Sequence, residues 1–93
     1  MLFGLFGKKK EEILIGEVIH YFRKIKVAVI KVKKDKLVIG DVIRFRGHST
    51  DYKQKIQSME VTHKPVESVS KGKEAAIKVK SKTRTGTKVF IIR

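Results

Sequence analysis

The chain has no cysteine, no tryptophan and a single proline, and only 9 of its 93 residues are acidic. Without cysteine there is no disulfide framework, which excludes a stapled secreted mini-protein and fits a reducing, cytoplasmic setting. No apolar run approaches the ~20 residues that a membrane-spanning helix needs. The first apolar stretch ends at Phe6 and lacks the apolar region and small-residue cleavage site of a signal peptide. There is no Gly-x-x-x-x-Gly-Lys-Ser/Thr phosphate loop, so GTP binding by this chain is not expected. His20, His48 and His63 have no cysteine companions and no His-Glu-x-x-His spacing, so neither a metal nor another cofactor is expected.

Positive charge is abundant. Twenty-three Lys and Arg against 9 Asp and Glu give a formal net charge of +14. Such a field attracts polyanions and raises their encounter rate. Nucleic acid, a ribosome or an acidic membrane surface are the natural partners on charge alone. The chain is long enough for one domain, and a domain of this size buries roughly 60–65% of its extended surface. The hydrophobic fraction is 41%, and it is mostly Ile and Val, which suit a pleated, half-buried surface.

Residues 1–12 form an apolar and basic tail, in which Phe3, Leu5 and Phe6 precede Lys8, Lys9 and Lys10. One short insertion plus three lysines supports only marginal, reversible membrane contact. From residue 13 the chain reads as strands separated by turns. Strands are expected over 13–22, 25–33, 37–46, 54–62, 75–80 and 88–92, with a polar loop at 47–53 and a connection at 63–65 holding the proline. Gly16 marks a bulge or a close approach in the first strand. In the second, Ile25, Val27 and Val29 share one phase and Ile30 and Val32 another, which predicts a bulge there. About six or seven short strands with regular turns predict an all-β fold, a small closed antiparallel β-barrel over residues 13–93.

Two constellations are candidates for chemistry. His48, Ser49, Thr50 and Asp51 hold the residue types of a hydrolytic triad, but sequence neighbours do not readily converge as nucleophile, base and orienter. They are expected to satisfy the loop's own backbone, and no enzyme activity is expected. The basic residues are the stronger candidates. With Ile43 and Phe45 facing the core, Arg44 and Arg46 share the opposite face. Lys53 and Lys55 follow the same period, and Lys78, Lys80, Lys82 and Arg84 continue it from strand into loop. Together these make a stripe able to follow a phosphate backbone, with Tyr52 placed to stack on an unpaired base.

Three stretches resemble a known family. Ile39-Gly-Asp-Val-Ile-Arg-Phe-Arg-Gly47 is similar to the hydrophobic-Gly-acidic-x-Val-x-hydrophobic-x-Gly signature of domain 2 of elongation factor Tu and of initiation factor 2. Gln57 to Glu60 and Lys64 to Gly72 resemble the strand and turn that follow it, and Arg84 to Phe90 resembles the closing strand, with Thr87 where that family often has Asp. The register is similar again to free-standing translation elongation factor-like proteins, and a related barrel is appended to collagenase-like peptidases; Gly47 to Tyr52, Gln54, Ser58 and Met59 match that group's loop and strand. The resemblance implies a barrel of the translation-protein type. It assigns Gly40, Asp41, Gly47, Gly72 and Gly86 to architecture.

Three functions are then open: a non-catalytic module contacting RNA or the ribosome, a protein-interaction accessory module for a separately encoded enzyme such as a collagenase-like peptidase, or weak membrane-surface association through the tail. Oligomeric state is not specified by any of these features.

Overall fold

In a computed structural model that describes residues 11–93, all regular structure is β. The strands are β1 (Glu12–Phe22), β2 (Val27–Val32), β3 (Lys36–Val38), β4 (Val42–Arg46), β5 (Asp51–Lys55), β6 (Met59–Val61), β7 (Lys64–Val66), β8 (Ser68–Ser70), β9 (Glu74–Lys78) and β10 (Lys88–Ile92). Eight form one antiparallel sheet in the order β5-β4-β10-β1-β2-β9-β6-β7, and β3 pairs with β8 in a second, two-stranded sheet. The tail positions Phe3, Leu5, Phe6 and Lys8 to Lys10 lie outside the described residues.

Period-two alternation decides which side chains go inside. In β2, Ala28, Ile30 and Val32 are buried while Val27, Val29 and Lys31 are not. In β4, Ile43 and Phe45 are fully buried, as the alternation predicts. They join Val89 and Ile91 of β10, Ile77 of β9, and Leu37 and Val69 of the small sheet in a single core cluster. Each fully buried side chain of this kind stabilises the fold by roughly 1.5–3 kcal/mol. The phase slip expected in the second strand is instead in β1, whose register shifts between Leu14 and Gly16 against β10 and between Val18 and His20 against β2. A bulge bends the strand that carries it, and β1, the longest strand, is central to the sheet. Gly16 is both a bulge and a close approach, because a Cβ there would collide with the Lys31 carbonyl oxygen.

Two expected elements are divided differently. The strand expected over 37–46 is cut by a turn at Gly40 and Asp41. Gly40 has φ +100°, a conformation that costs glycine little, and Asp41 Oδ2 accepts the Val38 N–H at 2.8 Å. The polar loop expected over 47–53 is largely a tight β4–β5 hairpin, closed where the Gly47 N–H donates to the Thr50 carbonyl at 2.7 Å.

The closed barrel of six or seven strands is corrected by an open sheet. β5 and β7 are its two edges and are not hydrogen-bonded to each other. At one end the ladder runs out because β6 meets β9 through a single pair, Glu60 and Ala76. At the other end, β5 faces the end of β9 across a gap that a side chain bridges.

Candidate functional site

That gap is the seam of the molecule. Alternation along β5 sends Tyr52 and Gln54 inward, towards Phe45 and Ile43 of the neighbouring strand, while Asp51, Lys53 and Lys55 are exposed. Gln54 then spans the seam with its amide. Its Nε2 donates to the Lys78 carbonyl at 2.9 Å, and its Oε1 accepts the Lys80 N–H at 3.1 Å. The side-chain amide thus occupies the place of one backbone peptide in a ladder that never forms. Beside it lies an open cleft of ≈ 460 Å³, lined by Gln54, Lys55, Gln57, Ser58, Lys78 and Lys80 among others.

Tyr52 anchors the loop that follows β9. Its ring lies 5.0 Å from that of Phe45, centroid to centroid, and 5.9 Å from the Lys80 ammonium. Thr83, fully buried, donates its hydroxyl to the Ser81 carbonyl at 2.7 Å and accepts from the Tyr52 hydroxyl. Burial pushes the Tyr52 phenol above its ordinary pKa.

The basic residues separate into two groups. Arg44 is already engaged, because Nε and Nη2 make a two-pronged contact with Asp51 at 2.8 and 2.9 Å and Nη1 reaches Glu12 at 2.6 Å. Hydrogen bonds to Asp51 and then Glu12 raise the Arg44 pKa further, and the same contact with Arg44 lowers that of Asp51. Arg46 is 3.7 Å from Glu12 and 5.9 Å from the Phe90 ring centroid. By contrast Lys53, Lys55, Lys78, Lys80, Lys82 and Arg84 make no ion pair among the described residues. Lys55, Lys78 and Lys80 meet at the cleft, whereas Lys82 and Arg84 belong to the loop beyond β9. The expected continuous stripe is therefore interrupted at Arg44.

Sequence reasoning does not single out Gln54 or Thr83 for these roles. A signal for Gln54 is present, since the alternation that turns Tyr52 inward turns Gln54 inward too, and a polar residue at an inward position needs a partner. No such pattern marks Thr83, whose burial follows from loop packing.

His48 and Ser49 occupy the β4–β5 turn, and Asp51 is held by Arg44, so these residues do not converge as a triad. Among the described residues no group of three or more His, Asp or Glu side chains is arranged to hold a metal ion.

No family model matches the chain. Over 88 residues it is 34% identical to an uncharacterized protease of Methanocaldococcus jannaschii, covering 94% of this chain and 21% of that protein. Over 85 residues it is 32% identical to a collagenase of Porphyromonas gingivalis strain W83, covering 90% of this chain and 20% of that one. The chain thus spans about a fifth of the length of the curated relatives it matches. Among solved structures it is similar to the C-terminal domain of a Geobacillus thermoleovorans protein designated a U32 peptidase. The TM-score is 0.78 at 16% identity, covering 84% of this chain and 90% of that domain. A selenomethionine variant of the same domain gives 0.76, covering 82% and 95%.

These relatives overturn the translation-factor resemblance, and with it the expected RNA and ribosome contacts. The Gly40-Asp41 signature is accounted for by the turn it builds, and a turn of this kind carries no information about a partner. The chain has the fold of the C-terminal domain of that U32 peptidase.

Proposed function

We propose that this chain is a non-catalytic accessory module of a collagenase-like peptidase, supplying a binding surface while a separate catalytic body cleaves the peptide bond. The observation that carries this reading is the asymmetry of the match, 94% of this chain against 21% of a protease more than four times longer. The engagement of Asp51 by Arg44 supports it, since the one clustered set of triad residue types is used for structure.

The test is hydrolysis of fluorogenic gelatin by the catalytic body of a U32 peptidase, with and without this chain. The chain alone is expected to release no fluorescence. Added to the catalytic body, it is expected to lower KM several-fold with little change in kcat, as uniform substrate binding does. Turnover by the chain alone, or an unchanged KM at saturating chain, overturns the proposal.

A further inference from the structure

We propose that the seam cleft binds an extended acidic segment of polypeptide, which adds as a strand to the free edge of β5. This goes beyond the accessory role and stands on geometry alone. It holds or fails whatever enzyme the module serves.

Register fixes which backbone groups are available. The Gly47 N–H donates to Thr50 and the Ile56 N–H to Asp41, so those are hydrogen-bonded pairs. Antiparallel ladders alternate bonded and non-bonded pairs, which makes Phe45–Tyr52 and Ile43–Gln54 bonded as well. The N–H and C=O groups of Lys53 and Lys55 therefore point away from β4, towards the open side, where no strand pairs with them among the described residues. Lys55 also lines the cleft. An extended peptide gains main-chain hydrogen bonds from such an edge and specificity from the side chains that flank it.

The second edge of the sheet shows the contrast. Thr62 and His63, both with positive φ, form the two-residue turn between β6 and β7. Val61–Lys64 is then the bonded pair, and residue 65 has its nitrogen on the outer side. That residue is Pro65, which has no N–H to offer, and proline is one device that protects a sheet edge from pairing. The β5 edge carries no proline and keeps its donors.

Charge selects the occupant. Lys53 and Lys55 flank the edge, and Lys78 and Lys80 stand across the cleft, all without an ion-pair partner among the described residues. Lysines on an edge repel a second lysine-bearing strand, which disfavours a second copy of this chain. An acidic strand turns the same repulsion into attraction.

The probe is a short alternating Glu-Val peptide, compared with a peptide of the same sequence and charge that is methylated at every backbone nitrogen and so lacks the donors in any register, and with a Lys-Val peptide. Titration by NMR is expected to show binding of the Glu-Val peptide, binding weaker by about tenfold or more for its N-methylated form, and none for Lys-Val, since loss of one or two hydrogen bonds of the usual strength is about tenfold in affinity. Amide exchange at Lys53 and Lys55 should slow on binding. Lys55→Pro removes an outward donor without touching the β4 ladder and is expected to weaken binding about tenfold, against about threefold or less for Lys55→Ala. Equal affinity for the Glu-Val peptide and its N-methylated form would refute strand addition and leave charge alone. Unchanged exchange at both amides of the unaltered protein would overturn it equally, a readout that does not depend on any variant folding.

Discussion

Replacing Gln54 with alanine removes the side-chain amide that spans the seam. Two hydrogen bonds are lost, the 2.9 Å donation to the Lys78 carbonyl and the 3.1 Å acceptance from the Lys80 N–H. A neutral hydrogen bond contributes about 0.5–1.5 kcal/mol net, and an unpartnered group costs more only where water cannot reach it. Both bonds are exposed to solvent along the open seam, so water replaces part of what is lost and the low end applies, about 1 kcal/mol in total. For a domain of this size that lowers Tm by about 4–8 °C. Gln54→Leu keeps most of the volume and should cost a similar amount, because the hydrogen bonds and not the methylenes hold the seam. Gln54→Glu retains the acceptor for the Lys80 N–H but sets a carboxylate against the Lys78 carbonyl, so only one of the two bonds survives. The assay is urea unfolding of all three variants combined with amide exchange. The Lys80 amide should exchange faster in the alanine and leucine variants and stay protected in the glutamate variant. An alanine variant with the unfolding midpoint of the unaltered protein and unchanged exchange at Lys80 would refute the side-chain bridge.

Gly16→Ala is expected to be severely destabilising, by about 2 kcal/mol or more, because its Cβ would run into the Lys31 backbone oxygen and β1 would have to part from β2; chemical denaturation measures it, and a variant as stable as the parent would show that this part of β1 yields freely. Asp51 supplies a pH dependence of known sign. Its native pKa is lowered by Arg44, so its stabilisation is present above the ordinary carboxylate pKa of about 3.9 and is lost as pH falls through the lower native value. Asp51→Asn should therefore be less stable than the parent near neutral pH and converge with it in strong acid, as followed by urea midpoints across that range; a gap that persists in acid would assign the effect to something other than the ionised carboxylate.

Much of the fold is legible in the sequence because strand alternation is local. Ile43 and Phe45 must face one way and Arg44 and Arg46 the other, and the structure buries the first pair. The misplaced bulge shows where local reading fails. Hydrophobicity alone sets Ile30 and Val32 out of phase with Val29, yet β2 alternates regularly with Ala28 on the buried side. An alanine is too small to declare its side by hydrophobicity, so only packing could assign it. The real slips lie in β1; Gly16 marks the first in the sequence, but the second, between Val18 and His20, becomes a bulge only when the partner strand is known.

The sequence by itself determined the strand character, the inward face of β4 and the excess of positive charge, since each depends on backbone geometry or on a count. Tertiary structure decided which charges remain available and whether the sheet closes. Arg44 is neutralised by Asp51, a near neighbour in sequence, but also by Glu12 from a distant strand, and no period in the sequence relates those positions. Closure depends on whether β5 reaches β9 with its backbone or only with the Gln54 side chain, a difference of one amide across a gap set by the curl of the whole sheet. Lys53 and Lys55 look like Lys78 and Lys80 in the sequence, as pairs of alternating lysines; only the register shows that the first pair lies on a sheet edge with no pairing strand among the described residues.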